Sequence, residues 1–577
     1  MASEPFDLSL AITGSGGAGA ITTGELLLSL AGENGRFGMM RRSFGPQIRG
    51  GEAAALLRLA DAPVACMNDH FDLLLALDWN NADRFAEELP MGPHSLIVAD
   101  PGAGKMPPSI WELGARIIEL PIAALAKEVD AGRPNMVALG LLARWLGLAS
   151  GAANPLIESV FGGKGERITS GSLAAFEKGY QQAPIPQLGS EGSILQRTAS
   201  VQRYWQINGS EACGLGALRG GIRFAAAYPI TPASELLEWL SPRLERLGGS
   251  LLQAEDELAS INMVIGASFG GVPSMTATSG PGFALMTESM GLAMASETPA
   301  VVIDVMRAGP STGIPTKSEQ SDLDIALCGL HGDAPHLVLG ALDHADCILT
   351  TEWGVRLAEA LQTLAVILTD QNLAQSRVLI PPPEYRLDDI PPRKTAPASE
   401  DYCRYRLTDD GVSPMAIPGT PQSTYVADGL EHAENAKPSA AAADHEAQLK
   451  KRLRKLEDFD FGAHWADIRG EGELAILTWG SSTAAAREAA ERLASCGRPV
   501  RLIALRLLSP ARPEHLARAL DGVTRVLVVE QSQTRQFHRY LRAWYDFEAE
   551  LRVLAKPGPL LLTPGEIVAQ IEQWSET

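Results

Sequence analysis

The sequence predicts an α/β protein built of three α/β domains. Short apolar runs of strand length alternate with helix-period segments over most of the 577 residues. Glycine-rich turns follow several of these runs, and 56 glycines suit many such turns. The stretch 473–577 carries the order strand "LAILTWG", helix "STAAAREAAERLAS", strand "VRLIALRLL", helix "PEHLARALD", strand "RVLVVEQS". The length allows three or four ordinary domains, and 45% apolar with 20% charged residues suits large cores.

Five segments follow in order. Residues 1–176 form an α/β domain with strands at "DLSLAIT", "EAAALLRLA", "FDLLLALD" and "SLIVAD". Residues 177–206 are a polar linker. Residues 207–386 alternate again, through "FAAAYPI", "PSMTATSG", "PAVVIDVM", "DAPHLVLG" and "LAVILTD". Residues 387–472 are an irregular loop and a linker helix. There "AENAKPSAAAADHEAQ" reads as mobile, and "HEAQLKKRLRKLEDF" as an exposed charged helix. Residues 473–577 close the chain as a βαβαβ unit.

Charge and cysteine usage narrow the function classes. A net charge of −20 argues against a nucleic-acid partner. Cys66, Cys213, Cys328, Cys347, Cys403 and Cys496 form no CxxC pair. They fit a reducing cytoplasm, without disulfides and without an iron–sulfur or zinc site held by this chain alone. Glu4 and Asp7 stand where a signal peptide needs positive charge. "NMVALGLLARWLGLASGAAN" is interrupted by Arg144 and reads as a buried helix, so no membrane partner is expected.

Four motifs lie at strand-to-helix turns, where α/β folds bind ligands. In "AAAYPITPASELLEWL", Pro229 and Pro232 end a strand and restrict Tyr228 and Thr231. Thr231 or Ser234 can cap the next helix, whose Leu236, Leu237 and Leu240 share a face; capping alone accounts for Thr231 at this stage. "QAEDELASINMVIGAS" places Glu255, Asp256 and Glu257 in a first helical turn, where the dipole favours acids. "TATSGPGFALM" sets Ser279, Gly280, Pro281 and Gly282 between a strand and a helix. "TGSGGAG" follows the first strand, with Gly14, Gly16 and Gly19 in GxGxxG spacing and Gly17 between them. Such a loop takes an anion or makes a tight turn. No acid closes the second strand, which argues against a dinucleotide. "RRSFGPQIRGGE" adds Arg41, Arg42 and Arg49 in a cationic glycine loop, suited to a phosphate, a partner surface or solvent.

"YPITPAS", "QAEDE", "TSGPGF" and "RAGPSTGIPTKSEQSDL", in that order, resemble the α subunit of the 2-oxoacid:ferredoxin oxidoreductases. The N-terminal "GSGGAG…FGPQIRGGE" resembles that family's γ domain, fused in front, and residues 473–577 resemble its transketolase C-terminal-like domain. Residues 207–386 are then similar to the thiamine-diphosphate pyrimidine-binding domain, and the γ-then-α order with "GPSTGIPTK" is most like the 2-oxoglutarate branch.

The resemblance implies CoA-dependent oxidative decarboxylation of 2-oxoglutarate to succinyl-CoA and CO2, with electrons passing to ferredoxin. The reaction is reversible in principle and could fix CO2. Pyruvate, branched-chain or aryl 2-oxoacids are alternative substrates, and a non-catalytic scaffold is a second alternative. Thr231 is implied to meet the substrate's carboxylate and oxo group. Glu255 is implied to hydrogen-bond N1′ of the cofactor's aminopyrimidine, and such an acid should be buried with a perturbed pKa. Tyr228, Pro229, Ser279 and Gly280 are implied cofactor contacts. Arg307 is implied to pair with the substrate carboxylate, against the alternative of a structural ion pair, and Lys317 is the candidate for a distal carboxylate. Gly14, Gly16, Gly17, Gly19 and Arg49 are the candidate CoA or phosphate loop.

Two departures shape the expected partners. Family members continue after "VVEQ" with Asn-Tyr-x-Gly, where this chain has Ser532, Gln533, Thr534 and Arg535. The GDG…N motif for Mg2+ and diphosphate is missing; "GDAPH" at Gly332 lacks the later Asn. A β subunit is therefore expected to bring Mg2+, the diphosphate grip and a [4Fe-4S] cluster in an (αβ)2 heterotetramer, with no metal held by this chain.

Overall fold

The computed structural model describes residues 6–15, 17–45, 51–80, 82–182, 204–314, 317–385 and 387–576. The chain folds as two compact units: Met1–Asn208 with Gln375–Pro383, and Gly209–Ala374 with Glu384–Thr577. The strands run in chain order from β1 (Asp7–Gly14), β2 (Phe37–Phe44), β3 (Ala53–Ala60) and β4 (Leu73–Ala76) to β5 (Leu96–Ala99) and β6 (Arg116–Glu119). Next come β7 (Trp205–Asn208), β8 (Phe224–Ala227), β9 (Ser250–Gln253), β10 (Ser274–Thr278), β11 (Ala300–Met306), β12 (Leu337–Gly340), β13 (Leu364–Asp370) and β14 (Arg377–Ile380). The last are β15 (Ala466–Arg469), β16 (Leu474–Trp479), β17 (Arg501–Leu505), β18 (Leu507–Ser509), β19 (Arg525–Glu530) and β20 (Glu550–Ala555).

The first unit holds one eight-stranded sheet, ordered β6-β5-β4-β1-β3-β2-β14-β7. Its centre is buried on both faces. Leu8, Leu10 and Ile12 of β1 enter one core, while Ala11 between them enters another, as strand alternation requires. The apolar stretch around Arg144 is indeed a buried helix, Pro134–Trp145. It lies backbone to backbone on the helix Glu166–Tyr180: a Cβ on Gly140 would stand 1.9 Å from the Phe176 carbonyl oxygen. Among the described residues no helix is long and apolar enough to cross a membrane.

Two local readings change here. Arg41 and Arg42 do not sit in a glycine loop but on β2, which pairs antiparallel with β3. Arg41 binds Glu88 at 3.0 Å, and Arg42 donates to the Gln375 carbonyl at 3.1 Å. The segment Arg377–Ile380, expected within 207–386, forms β14 between β2 and β7 of the first unit. A four-residue strand carries too little pattern to reveal which sheet edge it covers.

The second unit holds two sheets. The larger has the order β18-β12-β13-β11-β10-β8-β9, parallel except for β18. The smaller has the order β15-β17-β16-β19-β20 and contains the expected βαβαβ unit. The chain passes from β17 straight into β18, so one segment belongs to both sheets. Gln320 adds a second join: its side chain accepts from Ser482 Oγ at 2.8 Å and the Gln531 amide at 3.0 Å, and donates to the Trp479 carbonyl at 3.2 Å.

Residues 387–472 depart most from expectation. Residues 387–441 are irregular but pinned, and β15, inside the range expected to be loop and linker helix, forms an edge of the smaller sheet. Arg393 forks onto Glu359 with two bonds of 2.7 Å, and Arg404 is fully buried against the carbonyls of Glu297 and Ser296. The charged helix Ala442–Glu457 is not exposed all round: Lys451 and Lys455 are buried and hold the buried Glu297 at 2.7 and 3.0 Å. Burial alone would raise the Glu297 carboxyl, but Lys455, Lys451 and Arg404 outweigh it and hold it well below the usual range. Burial in turn pulls Lys455 down to about 8 against the field of Glu297.

Because removing one partner strands buried charge, Glu297→Gln should cost about 3–5 kcal/mol. The expected readout is a lower melting temperature, with new proteolytic cleavage within residues 387–457. A depressed carboxyl stabilises in full only above its unfolded pKa, so this contribution should fade as pH falls below about 4.5 toward the lower folded value. A variant as stable as wild type at neutral pH contradicts the assignment.

Candidate active site

Four adjacent parallel strands, β11-β10-β8-β9, end on the same side of the larger sheet. Each releases one of the motifs singled out in the sequence. β8 leads to Tyr228, Pro229 and Thr231; β9 to Glu255–Glu257; β10 to Ser279–Gly282; β11 to Arg307. Residues more than fifty positions apart in sequence are thus gathered by strand order.

Arg307 ties two of these ends together. Its Nη1 donates to the Thr231 carbonyl at 2.7 Å. It is the Thr231 backbone that Arg307 binds, leaving the half-buried Thr231 side chain outside that bond. The expectation that Thr231 or Ser234 caps the following helix is not met: the cap position of Ser234–Arg246 is Ala233, without a side-chain bond. Tyr228 and Pro229 are exposed. Burial lowers the Arg307 pKa, with Asp322 partly restoring it. Arg307 Nε is buried without a hydrogen-bond partner among the described residues. Lys317 is half-buried, and its carbonyl accepts from the Ala308 amide at 3.0 Å, beside the end of β11.

The acids after β9 divide differently from expectation. Glu255, expected to be buried, is exposed and precedes the helix. Asp256 is the N-cap, its carboxylate accepting from the Ala259 amide at 2.7 Å. That cap fixes the register and makes Glu257 the first helical residue, only 7% exposed. The burial argued for Glu255 therefore belongs to Glu257.

The "TSGPG" turn explains its own glycines. A Cβ on Gly282 would stand 2.5 Å from Glu257 Oε1 and 2.2 Å from Thr278 Oγ1. A Cβ on Gly280 would stand 2.6 Å from Asp322 Oδ2. Each glycine thus admits a carboxylate against the head of the helix Gly280–Ala295, where the dipole favours anions. Ser279, the N-cap, is fully buried, and its Oγ has no hydrogen-bond partner among the described residues. Asp304, fully buried on β11, faces the half-buried Asp322, whose Oδ2 is itself buried. The sequence analysis missed Glu257, Asp304 and Asp322; a lone Asp inside the apolar strand "VVIDVM" was the available signal for Asp304.

The first unit carries a separate feature. Gly14, Gly17 and Gly19 lie in the turn from β1 to the helix Ala20–Glu33, while Gly16 and Arg49 fall outside the described residues. Ser15 holds the turn by donating its amide (2.9 Å) and hydroxyl (2.7 Å) to Asp78. A cavity of about 540 Å³ opens at the helix start, lined also by Arg133, Asn135, Phe161 and Lys164. Gly19 has a left-handed φ of 90°, and a Cβ there would stand 2.5 Å from Asn135 Nδ2.

A family described as pyruvate ferredoxin/flavodoxin oxidoreductase matches residues 9–182, and one described as the thiamine-diphosphate-binding domain of pyruvate flavodoxin/ferredoxin oxidoreductase matches residues 215–451. The fold and site thus define an oxidoreductase subunit with a thiamine-diphosphate-binding domain. The chain belongs to the 2-oxoacid:ferredoxin oxidoreductase family, on the side of its α subunits. It is 30% identical to the 2-oxoglutarate oxidoreductase subunit KorA of Mycobacterium tuberculosis, over 90% of this chain and 84% of that one. It is 35% identical to the α subunit of 2-oxoacid:ferredoxin oxidoreductase 1 of Sulfurisphaera tokodaii, a match spanning 58% of this chain and 56% of that protein. A 2-oxoglutarate:ferredoxin oxidoreductase from Magnetococcus marinus, solved with 2-oxoglutarate, coenzyme A and succinyl-CoA, superposes with a TM-score of 0.88 at 35% identity, covering 98% of this chain and 99% of that one. The residues present suit one end of the thiamine cofactor: a buried carboxylate at Glu257 and an orphaned hydroxyl at Ser279.

A Gly282→Ala substitution should displace the Glu257 carboxylate and lower turnover of the assembled enzyme about tenfold or more. Gly291, in the same helix with open space about it, provides the control, and Gly291→Ala should leave turnover unchanged. Equal turnover in the two variants contradicts the packing of Glu257 against Gly282.

Proposed function

We propose that this chain is the α subunit, with a fused γ-type domain, of a 2-oxoglutarate:ferredoxin oxidoreductase. The reaction is 2-oxoglutarate and CoA to succinyl-CoA and CO2, with two electrons passing to ferredoxin. The observation that carries the reading is the Arg307–Thr231 bond of 2.7 Å, which joins the two residues proposed to meet the substrate. The near-complete match to the Magnetococcus marinus enzyme supports the substrate choice. A β subunit supplies Mg2+, the diphosphate grip and an iron–sulfur cluster in an (αβ)2 assembly.

Thiamine diphosphate, when bound, supplies the electron sink for loss of CO2 from a 2-oxo acid. Arg307 binds and orients the substrate's 1-carboxylate through its guanidinium fork. The Thr231 hydroxyl, held by the turn whose carbonyl Arg307 grips, meets the same carboxylate and the 2-oxo oxygen. Lys317 takes the distal carboxylate. An acid of the β9 turn holds a proton at the cofactor's aminopyrimidine. Its burial favours Glu257 for that role over Glu255. Ser279 and Gly280, with Tyr228 and Pro229 at the exposed rim, contact the cofactor.

The test is anaerobic viologen reduction by the complex purified through this chain, with CoA and a panel of 2-oxoacids. Preference for 2-oxoglutarate is expected, and preference for pyruvate or an aryl pyruvate overturns the substrate. Glu257→Gln should lose about a hundredfold or more, and Glu255→Gln distinctly less. The reverse order returns the role to Glu255.

The cavity at the start of the helix Ala20–Glu33 takes the phosphate-bearing end of CoA, with Arg133 and Lys164 as its cations and Asn135 as a donor. Arg133→Ala and Lys164→Ala should each raise the KM for CoA about tenfold and leave the KM for the 2-oxoacid unchanged. Unchanged CoA kinetics in both makes the loop structural.

A further inference from the structure

Two acids behind Arg307 have no role in the account so far. Asp304, on the fully buried β11, is itself fully buried, and neither carboxyl oxygen receives a bond from any described N–H or hydroxyl. Asp322 precedes the helix Leu323–Cys328, and its Oδ2 is buried without a donor, pressed over Gly280. The two carboxyls lie close enough to act on each other directly. Two carboxylates in such contact cannot both be ionised in a dry site, because each raises the other's cost of charge. One proton between them satisfies both, leaving one net negative charge. That charge has a neighbour: Arg307, three residues beyond Asp304 on the same strand end, lies within the field of Asp322 and has an unpartnered Nε.

We propose that Asp304 and Asp322 form a proton-sharing pair whose single charge positions Arg307 for the substrate carboxylate. The inference rests on the proposed role of Arg307. The pair does not touch substrate in this scheme; it acts through the arginine. The other charged group facing it is Glu319, whose Oε1 accepts from the Gly558 amide at 3.2 Å. Asp324, in the helix that Asp322 precedes, is turned to Arg539 instead. Burial first, then the Glu319 charge, raises Asp322 to about 6, against the pull of Asp304 and Arg307. Below that pH the pair becomes neutral, and Arg307 loses its counter-charge.

The experiment measures KM and kcat of the assembled enzyme for 2-oxoglutarate from about pH 5.5 to about pH 8. In wild type the KM should rise about threefold or more as pH falls through about 6, with a smaller change in kcat. Asp304→Asn and Asp322→Asn each leave one acid and one amide, so the pair keeps a single charge and the inflection should vanish. The double variant has no charge, and its KM at the upper end of the range should match wild type at the lower end. Infrared titration of the wild-type enzyme checks the proton itself: a protonated-carboxyl band should persist above the usual carboxylate range and disappear in the double variant. A flat wild-type KM profile overturns the positioning role, and absence of the band overturns the shared proton. Arg307→Lys separates the two failures. If it raises the KM while the double variant does not, the pair is only structural. If it leaves the KM unchanged, the reading of Arg307 is wrong and the positioning role falls with it.

Discussion

The bond from Arg307 Nη1 to the Thr231 carbonyl, 2.7 Å long, is the contact on which the site depends. Arg307 follows β11 and Thr231 lies beyond β8, and β10 runs between those strands. The bond therefore spans the turn that carries Ser279 and Gly280. Parallel strands make this possible, because all four neighbouring ends open on one side and each passes into a helix or loop. Among the described residues Arg307 Nε keeps no partner, which leaves a donor beside that bond for recognition of a carboxylate.

Buried charge organises the rest of the second unit. Two buried ion pairs show this, each joining segments far apart in sequence, as the cost of leaving such charges unpaired demands. Asp346 meets Arg506 at 2.6 Å and brings the segment between β17 and β18 onto the larger sheet. Glu297 meets Lys451 and Lys455 and fixes the helix Ala442–Glu457. Asp304 and Asp322, by contrast, set two acids against each other. An arrangement of that kind beside the proposed substrate arginine is more readily explained by function than by stability.

The long strands were legible in the sequence because burial on both faces gives continuous apolar runs: β1, β3, β11 and β13 fall where those runs predict. The strand–glycine–helix turns were legible too, since Gly280, Gly282 and Gly19 mark close approach or a left-handed φ. Partner-dependent features were not. "EDE" offers three consecutive acids, and only the Asp256 cap decides that Glu257 rather than Glu255 turns inward. "KKRLRK" looks solvated until Glu297, more than 150 residues earlier, is found against two of its lysines. β14 joins a sheet whose other strands lie at least 169 positions before it, a pairing that no local pattern encodes.

The central claim is that Arg307 reads the carboxylate next to the 2-oxo group. It is tested most directly by comparing kcat/KM for 2-oxoglutarate and 2-oxopentanoate in wild type and Arg307→Lys. 2-Oxopentanoate keeps the carbon count and lacks the distal carboxylate. The account predicts that both substrates lose the same factor, about tenfold or more, because both present the carboxylate that Arg307 grips. A loss confined to 2-oxoglutarate would assign Arg307 to the distal carboxylate and contradict the account.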